Sequence, residues 1–362
     1  MGRRTCPGGF TLMEILVAIA CLLILGGAMT AMLRSGVGMW RDARARRVVY
    51  DRAQTLFGVF TEDLQAIYVA ETPPGTAPVS GQTIEAILQC GYDANKLQAL
   101  SFVRTISEAE RAAGLPDQGL IRVSYTQEPR SEGVIALNRA MSTPSGLAIG
   151  GPVLITDDLL YLGVKFWTPE TTNWSCAPSD AACVGPSDLW DSTRGSNALS
   201  LFQYYVGQGS LDDPSDDVFP PRIRTTVVLE PRNYTAILAK LQEDLSADAT
   251  GIVRLDTTLG FPKDATQLPY LGPGANQTAY VEQQDSVQYV KIGSEWIHYD
   301  RVDGNTIIIS QGGRGARGTA NQTGSAGSIH PAGSLVHVGK TFTFTYRLPT
   351  HRERTDICPG CN

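Results

Sequence analysis

The sequence is poor in the groups that build catalytic sites. Only 4 of its 362 residues are histidine (His298, His330, His337 and His351). No H-E-x-x-H, no metal-ligand spacing and no G-x-S-x-G occurs, so the zinc-protease and serine-hydrolase patterns are excluded. Asp157-Asp158 and Asp216-Asp217 are neighbouring carboxylates, but neighbours on a strand point to opposite faces and make no acid–base pair. The sequence therefore argues against an enzyme. Positive charge is also short: 30 Lys and Arg against 36 Asp and Glu leave a net charge of −6, which argues against nucleic acid as a partner. The 37 glycines and 21 prolines follow no collagen-like period and suit a loop-rich β protein. The acidic stretch Asp212 to Asp217 offers oxygen ligands for calcium but lacks EF-hand spacing, and a solvated loop is the simpler reading. No other cofactor or metal is implied.

Long apolar runs are missing too, with one exception. Phe10 to Leu33 is interrupted only by the carboxylate Glu14 and the hydroxyls Thr11 and Thr30. As a helix it reaches about 36 Å, enough to cross a bilayer core with some tilt. Residues 1–9 form a basic leader in which Arg3 and Arg4 favour the cytoplasmic side, which sends Arg34 and everything beyond it across the membrane. A secretory signal would carry a shorter apolar core with small residues after it. Here the small residues, Gly8 and Gly9, come first, and a cut after Gly9 leaves the apolar helix on the mature chain. Loss of Arg3 and Arg4 would take the net charge from −6 to −8. Glu14 is the anomaly, because a carboxylate inside a spanning helix costs about 2.5–3.5 kcal/mol and needs a partner. A newly freed amino group on Phe10, cationic at neutral pH, of this chain or of a neighbouring one, would supply it.

The segment Gly9-Phe10-Thr11-Leu12-Met13-Glu14 resembles the processing site of type IV prepilins and type II secretion pseudopilins. The resemblance implies that a membrane prepilin peptidase cuts between Gly9 and Phe10 and methylates the new N-terminus. It also implies that Glu14, fifth in the mature chain, guides the subunit into a filament. A later stretch, Asp188-Leu189-Trp190-Asp191-Ser192 followed by Phe219-Pro220 and Pro221-Arg222-Ile223-Arg224-Thr225-Thr226-Val227-Val228-Leu229, resembles the late part of the J-type minor pseudopilin, with a Trp-containing loop and a Phe-Pro step into a strand.

After Leu33 the spacing of Val49, Leu56, Phe60, Leu64 and Ile67 predicts a helix with one apolar face reaching about Ala70. Gly36 and Gly38 weaken its join to the membrane part, each by about 1 kcal/mol against Ala, and suggest a place to bend. Arg41, Arg44, Arg46 and Arg47 follow the membrane part, as a solvated face or as a contact for acidic neighbours. Strands are predicted at 97–104, 120–126, 134–139 and 161–168. Ser107 with Glu110 reads as a capping box.

Residues 233–338 depart from the J-type pattern. Gly293-Ser294-Glu295-Trp296-Ile297-His298-Tyr299, then Arg314-Gly315-Ala316-Arg317-Gly318-Thr319, then His330-Pro331-Ala332-Gly333-Ser334-Leu335-Val336 resemble a small non-enzymatic β-module of phage structural and surface proteins. Gly312 to Gly318 reads as a turn between strands rather than a phosphate cradle, because no Lys-Ser/Thr opens a helix after it. The alternating 340–347 stretch reads as a strand returning beside 225–229.

Of the 7 cysteines, Cys6 lies in the leader and Cys21 in the membrane segment. Cys176 with Cys183 and Cys358 with Cys361 are disulfide candidates in an oxidising compartment, leaving Cys90 over. A C-x-x-C also suits a redox or zinc site, but neither a strand-to-helix turn nor two further ligands accompanies it.

The expectation is an α+β fold: a long N-terminal helix packed on antiparallel sheet, with a small β-module added. Its segments are a leader (1–9), a transmembrane helix (10–33), the helix continuation with the main sheet (34–232), the inserted module (233–338), and a last core strand with a Cys-containing tail (339–362). The resemblance implies a single-pass inner-membrane subunit with a periplasmic domain. Its partners would be other minor pseudopilins, the major pseudopilin and the prepilin peptidase. A minor pilin of a type IV pilus or DNA-uptake filament is the nearest alternative, and a membrane-tethered surface-binding protein is an alternative of another class.

Overall fold

The structure is a computed structural model that describes residues 12–68, 88–93, 95, 97–112, 119–130, 133–168, 173–175, 189–192, 219–230, 238–249, 251–258, 261, 288–310, 312–317, 319 and 327–348. It opens with one 54-residue helix, α1 (Leu12–Gln65), about 81 Å long. The chain continues through β1 (Leu88–Tyr92), β2 (Gln98–Thr105), α2 (Glu108–Ala112), β3 (Leu120–Pro129), β4 (Ile135–Ser142), β5 (Val153–Thr168), β6 (Asn173–Trp174), β7 (Trp190–Asp191) and β8 (Arg222–Leu229). There follow β9 (Ala239–Lys240), β10 (Ile252–Arg254), β11 (Tyr289–Ile292), β12 (Glu295–Asp303), β13 (Thr306–Ile309), β14 (Leu335–His337) and β15 (Lys340–Arg347).

Two antiparallel sheets result. The main sheet runs β15-β8-β5-β4-β3-β2-β1-β7, with β6 on β5, and the second runs β10-β13-β12-β11-β14-β9. The second sheet thus lies wholly between β8 and β15 in sequence. Strand β15 pairs with β8 over its full length, Lys340 opposite Leu229 and Arg347 opposite Arg222, where the alternation of Phe342, Phe344 and Tyr346 had placed it.

Only the C-terminal part of α1 is built for a protein core. Val49, Ala53, Leu56, Phe60 and Leu64, at helical spacings of three and four, are buried against one face of the main sheet. Phe60 stacks on Tyr125 at 4.3 Å and Phe57 on Phe344 at 5.5 Å. Burying side chains of this size is worth roughly 1.5–3 kcal/mol each, which outweighs the cost of Gly36 and Gly38, and the helix passes both without a break.

The helix stops at Gln65, short of the expected Ala70. The reason is an unclaimed edge: β1 pairs with β2 only as far as Phe102, and residues 66–68 take the next places. Tyr68 N donates to Val103 O at 2.9 Å and Thr105 N to Ala66 O at 2.8 Å.

Several strands differ from expectation. Leu88–Tyr92 was not foreseen, Trp190–Asp191 is an edge strand rather than a loop, and β5 starts at Val153 instead of Tyr161. The capping box is present: Glu110 N donates to Ser107 Oγ at 3.2 Å and Ser107 N to Glu110 Oε2 at 2.9 Å. The second sheet encloses its own core of Val290, Ile292, Ile297, Tyr299, Ile307, Ile309 and Val336. Alternation then turns Lys291, Trp296 and His337 toward the other face, Lys291 standing opposite both Trp296 and His337 in register.

Candidate functional site

The first feature that calls for a function is the free half of α1. Ile15–Trp40 is long and apolar enough to cross a membrane, and none of it is buried within the protein. Leu22, Leu23, Ile24 and Leu25 are all largely exposed, as no water-facing helix of a monomer would keep them. Thr30 satisfies its hydroxyl on Gly26 O at 2.7 Å, within the helix. Beyond the span, Arg44 sits over the Trp40 ring at 5.5 Å and Arg47 pairs with Asp51 at 3.7 Å. These two arginines of the predicted cluster thus line the helix surface.

Charged clasps fix the packed half of α1 to the sheet. Arg52 pairs with the buried Asp158 of β5, which also accepts from the Thr156 hydroxyl. Asp157 beside it points outward, as the alternation required. Near the helix end, buried Asp63 accepts from Arg139 Nε at 2.7 Å and Nη2 at 2.8 Å, and from the Tyr125 hydroxyl. Arg104 Nε lies 2.9 Å from Asp63 Oδ1, and the same guanidinium bonds Glu110. That bond holds the Glu110 carboxyl down, at about 2. Burial, followed by the Asp63 charge, pushes the Tyr125 hydroxyl above its ordinary range. Such a network can position a helix; it offers no exposed reactive atom.

The second feature is a cleft where the two sheets meet. Strand β4 pairs with β5 only up to Leu159, so that β5 edge opens beyond it until Ser175 and β6 take it up from Phe166 onward. Two buried glutamines satisfy it: Val164 N donates to Gln98 Oε1 at 2.6 Å, and Gln127 Nε2 donates to Gln98 O at 2.7 Å and Leu162 O at 3.3 Å. The second sheet covers the opening. Trp296 packs with Leu160 and Val228, Lys291 Nζ donates to Leu160 O at 2.7 Å, and His337 Nδ1 meets Glu230 Oε1 at 2.7 Å. Gly133, at φ +90°, sits so close to the Gly293 carbonyl that a Cβ there would collide with it. Arg317 lies over three rings, Tyr161 at 4.6 Å, Tyr289 at 4.4 Å and Trp296 at 4.5 Å. A cleft of about 570 Å³ remains, floored by Gln98, Gln127 and Leu162 and roofed by Lys291, Trp296 and Arg317.

Behind the roof, the glycine-rich turn is held by a buried ion cluster. Glu295 accepts from Arg314 Nε at 2.7 Å, Gly315 N at 3.0 Å and Ser328 N at 2.8 Å, and meets His330 Nε2 at 2.7 Å. Burial opposes its charge, but the bonds from His330, Arg314 and Ser328 prevail and hold the carboxyl at about 2. The expected turn at 312–318 is thus anchored by a charge pair that its sequence did not announce.

The residues singled out from sequence are unevenly placed. Glu14 is in the first turn of α1. Gly9 and Phe10 lie outside the described residues, as do Cys176, Cys183, Cys358, Cys361 and the stretch Asp212 to Asp217. Cys90 is buried in β1 and Cys21 is exposed on the apolar half of α1. Among the described residues, no three His, Cys, Asp or Glu side chains come together as a metal site. No protein-family profile matches the chain, and no curated protein matches it.

Proposed function

We propose that the chain is a minor pseudopilin, J-like, of a type II secretion system. It would be a structural subunit that joins other minor pseudopilins at the tip of a periplasmic pseudopilus and helps start its assembly. The observation that carries this reading is the division of α1: an uncovered apolar half, then a half clamped to antiparallel sheet, directly after Gly9-Phe10-Thr11-Leu12-Met13-Glu14. A helix of this kind anchors the subunit in the inner membrane before assembly and packs against other helices afterwards, while the folded part stays outside. Glu14 gives the exchange a direction, since its charge is costly in lipid and is relieved beside the amino terminus of a neighbouring subunit. The part played here by the prepilin peptidase is removal of residues 1–9 and methylation of Phe10.

Mass spectrometry of the mature chain tests the reading at its root. The expected N-terminus is methylated Phe10, and Glu14→Ala is expected to be processed normally yet fail to enter the filament. A mature chain beginning anywhere else, or wild-type incorporation of Glu14→Ala, refutes it.

A further inference from the structure

We propose that the cleft between the two sheets binds a short acidic peptide, whose carboxylate is received by Lys291. The inference does not depend on filament membership; it rests on the cleft's own chemistry. At about 570 Å³ the cleft is within the usual range for small-ligand sites. Lys291 lines it, with Arg317 and with Arg130, which pairs with Glu128 at 3.2 Å, and no described lining residue is Asp or Glu.

Lys291 is the key residue. It is only 4% exposed, and among the described residues its ammonium meets a neutral carbonyl, Leu160 O, but no carboxylate. The charged groups around it are otherwise engaged. On β12, Glu295 is held by Arg314 and His330; on β14, His337 faces Glu230; in the turn beyond, Arg317 lies over the three rings. Burial, and then the like charge of Arg317, push the Lys291 ammonium down to about 7. A buried ammonium that meets a neutral carbonyl but no carboxylate is a costly arrangement that a bound carboxylate relieves.

Two further details select a peptide. Gln127 Oε1, buried in the cleft floor, lacks a hydrogen-bond partner among the described residues, so the site asks for an N–H donor as well as an anion. An acidic sugar would seek open aromatic faces, but those of Tyr161, Tyr289 and Trp296 are covered by Arg317.

The test is calorimetric titration of the full chain in nonionic detergent with an acetylated and amidated Glu-Asp-Glu tripeptide. Its neutral Gln-Asn-Gln counterpart and glucuronate serve as comparisons. Lys291→Met keeps the buried stem and removes the charge, and its near-ultraviolet tryptophan signal reports that the junction remains folded. The expected result is saturable binding of the acidic tripeptide. Binding should be at least about tenfold weaker for the neutral peptide and for Lys291→Met. At pH 7, proton uptake of up to about half a proton is expected, read from buffers of different ionisation heat, because the carboxylate returns Lys291 to its charged form. Equal affinity for the two peptides, unchanged affinity in folded Lys291→Met, tighter binding of glucuronate, or no binding to folded wild type at millimolar peptide would each overturn the proposal.

Discussion

Replacing Asp63 by asparagine is the sharpest test of how α1 is held. The substitution keeps shape and removes one negative charge from a site where Asp63 and Arg104 are each 2% exposed. In the native protein the charges of Asp63 and Glu110 balance those of Arg104 and Arg139. After the change one positive charge stays buried without a counterion, and the Arg139 fork loses half of its paired acceptor. Breaking a buried pair from one side costs about 3–5 kcal/mol. For a domain of 150–250 residues, at about 2–4 °C per kcal/mol, that is a fall in melting temperature of about 6–20 °C. Arg139→Met alone should also destabilise. The double variant should lose less than the sum of the two, by about 1–3 kcal/mol, because with the guanidinium already gone the Asp63→Asn change strands no cation there. Thermal melts of the four proteins in nonionic detergent, followed by circular dichroism, supply the cycle. A loss below about 1 kcal/mol in Asp63→Asn, or strict additivity in the double variant, would refute the claim that this carboxylate holds the helix end.

Three other outcomes are expected. Gly133→Ala should destabilise the junction by about 1–3 kcal/mol more than Gly146→Ala, because both glycines have positive φ but only the first faces a backbone carbonyl; equal losses would remove the steric argument. Acid should weaken the second sheet: the Glu295 carboxyl is held at about 2 in the fold against 4.5 in the open chain. The unfolded state therefore binds the extra proton first, and stability drops as pH falls from about 5 toward 2. Denaturant midpoints read at tryptophan that stay flat over that range would contradict it. Phe60→Ala should cost about 3–5 kcal/mol through the cavity left against Tyr125, and a loss under about 1 kcal/mol would mean that the helix does not rely on that stack.

Much of the frame was legible because it is local. The repeat of Val49, Leu56, Phe60 and Leu64, the Ser107 and Glu110 pair, and the alternation of 340–347 each carry their signal within a few residues. Leu88–Tyr92 had none: Leu-Gln-Cys-Gly-Tyr contains no β-branched residue, and it becomes a strand because Gln98–Phe102 offers an edge. The first half of β5 was missed because Asp157 and Asp158 interrupt its apolar residues, and Asp158 finds its counter-charge only in Arg52, from a position far earlier in the chain. The junction cleft was invisible for the same reason. Gln98, Gln127, Lys291 and Arg317 share no spacing, and only the parting of β4 from β5 brings them together.

The pairing of Lys340 with Leu229 means that the chain leaves the main sheet and comes back to it at adjoining positions, so the whole second sheet is, topologically, the loop of a β-hairpin. Closing such a loop as random coil costs about 4 kcal/mol in chain entropy. If the second sheet gathers first, it delivers β15 to β8 with that distance already spanned. The last strand of the main sheet then docks late, and the rate at which the second sheet folds sets when the face that covers α1 is complete.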